Sequence, residues 1–172
     1  MKSHLIKLGY LFLFISLSFY SLAQNPKGFD KMAKNMADKT VPIIKSSQVV
    51  KLQKKSKKIV FLDAREIKEY KMSHIKNSIH IGYDNFDEKS VKKVDKNATV
   101  VVYCSVGYRS GKIGKQLREM GYTSVFNLYG GLFDWANNGN KIYNSSGEIE
   151  IVHPYNKKWG KWLKLELRGE TK

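Results

Sequence analysis

Short apolar runs alternate with amphipathic stretches along most of this chain. The runs are Val41-Pro42-Ile43-Ile44, Ile59-Val60-Phe61-Leu62, Ser78-Ile79-His80-Ile81, Thr99-Val100-Val101-Val102-Tyr103 and Val125-Phe126-Asn127-Leu128. The second and fourth are continuously apolar, the pattern of strands covered on both faces. Pro42 assigns the first to a sheet edge, because proline cannot donate to a ladder. Helical patterns lie between the runs. One covers residues 48–55 behind Ser46 or Ser47 as N-cap, and a brief one covers residues 66–72. Another covers residues 87–94, acidic at its start and lysine-rich toward its end. A longer one covers residues 111–120 and stops at Gly121, the residue a left-handed C-cap requires. A last short helix runs from the Gly130-Gly131 turn through Trp135 and Ala136. This alternation predicts an α/β fold, with a central, mainly parallel five-stranded sheet and helices on both faces. Ligands of such sheets bind beyond the carboxyl ends of the strands.

The flanks follow other patterns. Lys2 and Lys7 precede an apolar stretch over residues 8–20, and Ser21-Leu22-Ala23 supplies small residues for cleavage. Residues 1–23 are therefore read as a signal peptide. The stretch is short for a membrane span. The expectation is a mature start at Gln24, export to a periplasmic or extracellular space, and no stable span afterwards. An uncleaved anchor is the alternative. Residues 24–40 form a polar lead-in with a short helix, and residues 41–138 hold the strand–helix alternation. Residues 139–172 are an irregular extension, with a hairpin pattern around Ser145-Ser146-Gly147 and an aromatic, basic tail carrying Trp159 and Trp162. Such a tail most often folds back over apolar surface. A protein partner for it is the alternative.

The net charge is +16, from 31 basic and 15 acidic residues, and the leader accounts for only Lys2 and Lys7. Lysine supplies most of the excess and is widely spread. No nucleic-acid motif accompanies it, so a nucleic-acid partner is not expected. Such a field favours anionic ligands or a membrane surface, but a solvated lysine-rich surface is the preferred reading.

Cys104 is the one cysteine in the chain, so no internal disulfide is available. It follows the fourth strand run and opens Cys104-Ser105-Val106-Gly107-Tyr108-Arg109-Ser110 ahead of a helix. If residues 105–109 curl so that their N–H groups share one centre, those dipoles and the helix N-terminus stabilise a sulfur anion. Such positions lower a cysteine pKa to about 3.5–7.5. The thiolate is then a strong nucleophile at neutral pH. Gly107 permits the tight turn, and Arg109 offers donors to an anion. A buried, inert thiol is the alternative, and the spacing of Gly107, Arg109 and Ser110 from Cys104 outweighs it.

The chain resembles the rhodanese-like family of sulfurtransferases. The resemblance rests on an ordered set of segments: Leu62-Asp63-Ala64-Arg65, His74-Ile75 with Ser78-Ile79-His80-Ile81, Cys104 to Ser110, Gly121-Tyr122-Thr123-Ser124-Val125-Phe126-Asn127-Leu128, Gly130-Gly131 and Trp135. Ser73 and the Lys76-Asn77 pair depart from the family's pattern, in a turn. The resemblance implies that Cys104 takes a sulfane sulfur from an anionic donor such as thiosulfate. The resulting persulfide would be held by Ser105, Val106, Gly107, Tyr108 and Arg109, and passed to cyanide or a thiol. No metal or organic cofactor is implied. Asp63 and Arg65 sit at a strand end beside the loop and are read as a helix cap and salt bridge, with loop positioning or substrate contact as the alternative, and Ser110 supports the loop at the start of the helix. Cys104 and Arg109 enclose four residues. Related phosphatases and arsenate reductases enclose five, a wider cradle for a tetrahedral oxyanion, so sulfur chemistry is favoured over theirs. A non-enzymatic binding or redox-sensing module is the other rival. His74, His80 and His153 match no protease or metal-ligand pattern and are read as structural.

Overall fold

A computed structural model describes residues 25–170 apart from 56 and 57. The predicted signal peptide lies outside the described residues. In chain order the elements begin with α1 (Phe29–Met36), β1 (Ile43–Ile44), α2 (Ser46–Lys54), β2 (Ile59–Asp63), α3 (Ile67–Met72) and β3 (Ile79–His80). A 3-10 turn (Glu88–Val91) leads to β4 (Thr99–Tyr103), α4 (Tyr108–Glu119), β5 (Ser124–Leu128) and α5 (Gly131–Asn137). The chain then forms β6 (Ile142–Asn144), β7 (Gly147–Ile149), α6 (Lys157–Gly160) and a second 3-10 turn (Leu165–Leu167).

The five strands of the main sheet run parallel in the order β1-β5-β4-β2-β3. Alternate residues of β4 face opposite sides, as the pleat requires. Val100 and Val102 join Ile113 and Leu117 of α4 and Val125 of β5 in one core cluster. Val101 and Tyr103 join Leu132 and Phe133 of α5 in the other, together with Val152 and Leu163 of the C-terminal extension. Complete burial of side chains such as Ile113 and Leu117 stabilises the fold by about 1.5–3 kcal/mol each. β4 is central, with β5 on one side and β2 on the other. Its carboxyl end therefore opens where connections diverge, and Cys104 is the next residue.

Three local expectations are corrected. Residues 87–94 do not form a regular helix. The Asp87 side chain accepts from Lys89 N–H at 2.9 Å, and i→i+3 bonds such as Val94 N–H to Val91 O close successive tight turns. The cap of α2 is Lys45 rather than a serine, because Ser46 lies in the helix and turns its hydroxyl to Asp134 (3.0 Å). The helix after the cysteine loop starts at Tyr108 rather than Gly111, since Gly107 at φ +105° already makes the turn into it.

The extension folds back. Its hairpin attaches to the main body where His74 and Tyr143 exchange main-chain hydrogen bonds at 2.7 and 2.8 Å. Farther on, Asn137 donates to Trp162 O and accepts from Lys164 N–H. Trp162 meets Phe29 of α1 edge to face, with centroids 6.3 Å apart. Among the described residues no helix is long and apolar enough to cross a membrane.

Candidate active site

The loop after β4 is turned inside out by its neighbours. Leu132 and Phe133, at the start of α5, donate to the carbonyls of Cys104 (2.8 Å) and Ser105 (3.1 Å). The Asn127 side chain donates to Gly107 O at 2.9 Å. With three carbonyls held away from the centre, the N–H groups face the sulfur. Gly107 N–H donates to Cys104 Sγ at 3.1 Å, and the Ser110 hydroxyl approaches it at 3.5 Å. Gly131 is confined by the same packing: a Cβ there would collide with the Cys104 carbonyl oxygen.

Cys104 is only 1% exposed. Its sulfur is nevertheless not sealed in hydrocarbon, since the residue lines a cleft of about 390 Å³. Burial pushes the thiol up. The Arg109 charge, the Ser110 hydroxyl and the N–H groups of Ser110 and Val106 pull it down, and the net position is below the ordinary thiol value. No histidine among the described residues belongs to this network. His74 contacts Tyr70 O, His80 contacts Arg65 O, and His153 accepts from Tyr155 N–H.

Arg109 extends away from the loop to Glu69 of α3, with two bonds of 2.7 and 2.8 Å. Ser105 closes the triangle, accepting from Arg109 at 3.1 Å and donating to Glu69 at 2.9 Å. Burial pushes the Glu69 carboxyl up, but the hydrogen bonds and charge of Arg109 and the charge of Arg65 hold it below the usual range. Tyr108, half exposed, stands at the cleft rim, and Val106 lines its interior.

Of the residues read from the sequence, the structure brings Cys104 to Ser110 together. It sets Asp63 and Arg65 apart from the cleft, as a fully buried ion pair at 2.6 Å. Arg65 donates onward to Ser73 O and lies 5.7 Å from the Tyr103 ring centroid. The expected helix cap is not made by Asp63, since Glu66 caps α3. Two residues central to this geometry went unnoticed in the sequence. Glu69 carried no signal, being one acid among charged neighbours in a short helix. Asn127 did carry one: a polar residue inside an apolar strand run, whose amide donates to Gly107 O and whose oxygen accepts from Ser110 at 2.8 Å. Among the described residues, no group of three His, Cys, Asp or Glu side chains is arranged to hold a metal ion.

The fold and this loop define a class. The family model for the rhodanese-like domain matches residues 46–138. The chain belongs to the rhodanese-like family. It is 36% identical over 81 residues to the thiosulfate sulfurtransferase GlpE of Coxiella burnetii, a match covering 47% of this chain and 75% of that one. It is 42% identical over 77 residues to the thiosulfate sulfurtransferase PspE of Escherichia coli, covering 44% of this chain and 73% of that one. Among solved structures, the rhodanese-like domain of an Anabaena protein superposes with a TM-score of 0.55 at 19% identity, over 60% of this chain and 79% of that one. That likeness is one of fold.

Proposed function

We propose that the protein is an exported sulfurtransferase in which Cys104 carries sulfane sulfur as a persulfide. The observation that carries this reading is Cys104 in the lining of an open cleft, with its sulfur 3.1 Å from the Gly107 nitrogen and under the influence of Arg109. The names of the relatives from Coxiella burnetii and Escherichia coli support thiosulfate as the donor. Export rests on the sequence pattern of residues 1–23.

In the first half-reaction the Cys104 thiolate attacks the outer sulfur of thiosulfate. An S–S bond forms to Sγ, the bond to the sulfite sulfur breaks, and sulfite leaves with the electron pair. The outer sulfur of the persulfide then bears the negative charge, and main-chain N–H groups of the loop stabilise it without reorganisation. In the second half-reaction cyanide or a thiolate attacks that outer sulfur. Thiocyanate or an acceptor persulfide departs, and the Cys104 thiolate is restored. Arg109 holds the loop to Glu69 and keeps a positive charge beside the thiolate. The two half-reactions share one carrier, so the kinetics are ping-pong.

The test is to incubate residues 24–172 with thiosulfate, measure the intact mass, add cyanide and assay thiocyanate. The expected result is one added sulfur, removed by cyanide and absent in Cys104→Ser. Unchanged mass and no turnover would replace this reading with a binding module.

A further inference from the structure

The cleft over Cys104 is not built by the rhodanese-like segment alone. The extension enters it with Tyr155 and Trp159, and α1 enters it with Met36. All three lie outside the matched residues 46–138. We propose that Tyr155 and Trp159 form an acceptor subsite, which selects a neutral organic thiol with an apolar body as the recipient of the Cys104 sulfur. This rests on the sulfurtransferase reading.

Size is the first argument. A cleft of about 390 Å³ falls within the range of roughly 300–1,000 Å³ typical of organic-ligand sites. It greatly exceeds the volume of a triatomic or tetrahedral anion, given that a water molecule occupies about 30 Å³.

Charge is the second. Despite the net charge of +16, no lysine among the described residues lines this cleft, and its acidic lining residues are Glu66 and Asp84. Arg109, the one cation among the described lining residues, is bound to Glu69 by two hydrogen bonds. Its guanidinium lies 5.1 Å from the centroid of the Tyr155 ring. An anionic acceptor body would meet two carboxylates and a cation already paired, whereas a neutral apolar one meets aromatic surface.

Construction is the third. Tyr155 holds φ +63°, a left-handed conformation that a tyrosine adopts only when its surroundings impose it. Here Tyr155 N–H donates to His153 Nδ1 at 3.0 Å, and Asn156 N–H donates to Pro154 O at 2.8 Å. His153 N–H is in turn anchored on the Ser73 hydroxyl at 3.2 Å. Asn156 then caps the short α6, accepting from Trp159 N–H at 3.1 Å. The backbone bent in this way carries both residues into the lining of the cleft that Cys104 shares.

The acceptor step is balanced. The thiolate of the organic thiol attacks the outer sulfur, a new S–S bond forms to the acceptor, the bond to Sγ breaks, and Cys104 leaves as thiolate. Two neutral thiols of similar acidity serve as probes, phenylmethanethiol and 2-mercaptoethanol, with thiosulfate as donor. In wild type, kcat/KM is expected to be at least about tenfold higher for phenylmethanethiol. The ratio of kcat/KM for phenylmethanethiol to that for cyanide should fall about five- to tenfold in Trp159→Ala and in Tyr155→Gly. Glycine suits the left-handed position, so Tyr155→Gly removes the ring without imposing new backbone strain. A wild type indifferent between the two thiols, or variants with an unchanged ratio, overturns the subsite while leaving sulfur transfer standing. Failure of wild type to gain sulfur from thiosulfate sinks the sulfurtransferase reading itself, and the subsite with it.

Discussion

The cradle around Cys104 and the wall opposite it are built on different principles. The cradle works mostly through main chain: N–H groups of the loop face the sulfur, the Ser110 hydroxyl adds a longer contact, and the Asn127 side chain holds the Gly107 carbonyl away. The wall works through side chains, the rings of Tyr155 and Trp159 brought in by the C-terminal extension. Main-chain donors are untouched by side-chain truncation, and they act on any sulfur anion alike. Side chains can be exchanged freely and discriminate by shape. The cradle lies within the segment that matches the family model, and Tyr155 and Trp159 lie outside it.

Substitutions should separate the two regions. The largest effect belongs to Cys104→Ser, which should abolish sulfur loading altogether, as read by intact mass. Next is Glu69→Ala, which strips Arg109 of its buried carboxylate. Breaking such a pair costs about 3–5 kcal/mol and should lower the melting temperature by roughly 10 °C. If stability were unaffected, the cradle would not depend on the α3 clamp. Leu163→Ala tests how firmly the wall is founded. Leu163 is fully buried in the cluster shared with α5, and the truncation should cost about 2–5 kcal/mol by denaturant titration. A cost below about 1 kcal/mol would mean that the extension is only loosely attached.

The smallest effect is the most specific. Ser110→Ala removes a hydroxyl whose single proton lies between Cys104 Sγ (3.5 Å) and Asn127 Oδ1 (2.8 Å), with little loss of packing. A hydrogen bond to a charged group is worth about 1.5–3 kcal/mol, and a long one less, so the midpoint of the loading rate against pH should rise by about half to one unit. The sign follows from the thiolate being the form this bond stabilises. A midpoint that falls or stays fixed would show that Ser110 does not act on the sulfur.

How much of this could be read in the sequence follows the same division. The five strands, α4, the Gly121 stop and the cysteine loop were legible, because each rests on local periodicity or on residue types with fixed backbone roles. Gly121 indeed has φ +89°. The acid-then-lysine pattern of residues 87–94 suits a helix or a run of turns alike, and the Asp87 side chain decides for the turn. Glu69 was not legible, since its role depends on a loop some forty residues away closing onto α3. The wall was the least legible part. Tyr155 and Trp159 sit in an aperiodic segment, and only the tertiary path of the extension brings them over Cys104. The expectation that this tail covers apolar surface describes Trp162 against Phe29, but it gave no hint of the cleft.

The central claim is that Cys104 is a stabilised thiolate reachable from the cleft. It is tested most directly by the rate of alkylation by a small haloacetamide as a function of pH. With a single cysteine in the chain, the signal belongs to one site. The rate should rise with pH through a midpoint below the ordinary cysteine value of about 8.5 and level off above it. A midpoint at or above that value, or a thiol that alkylates only on unfolding, would contradict the account.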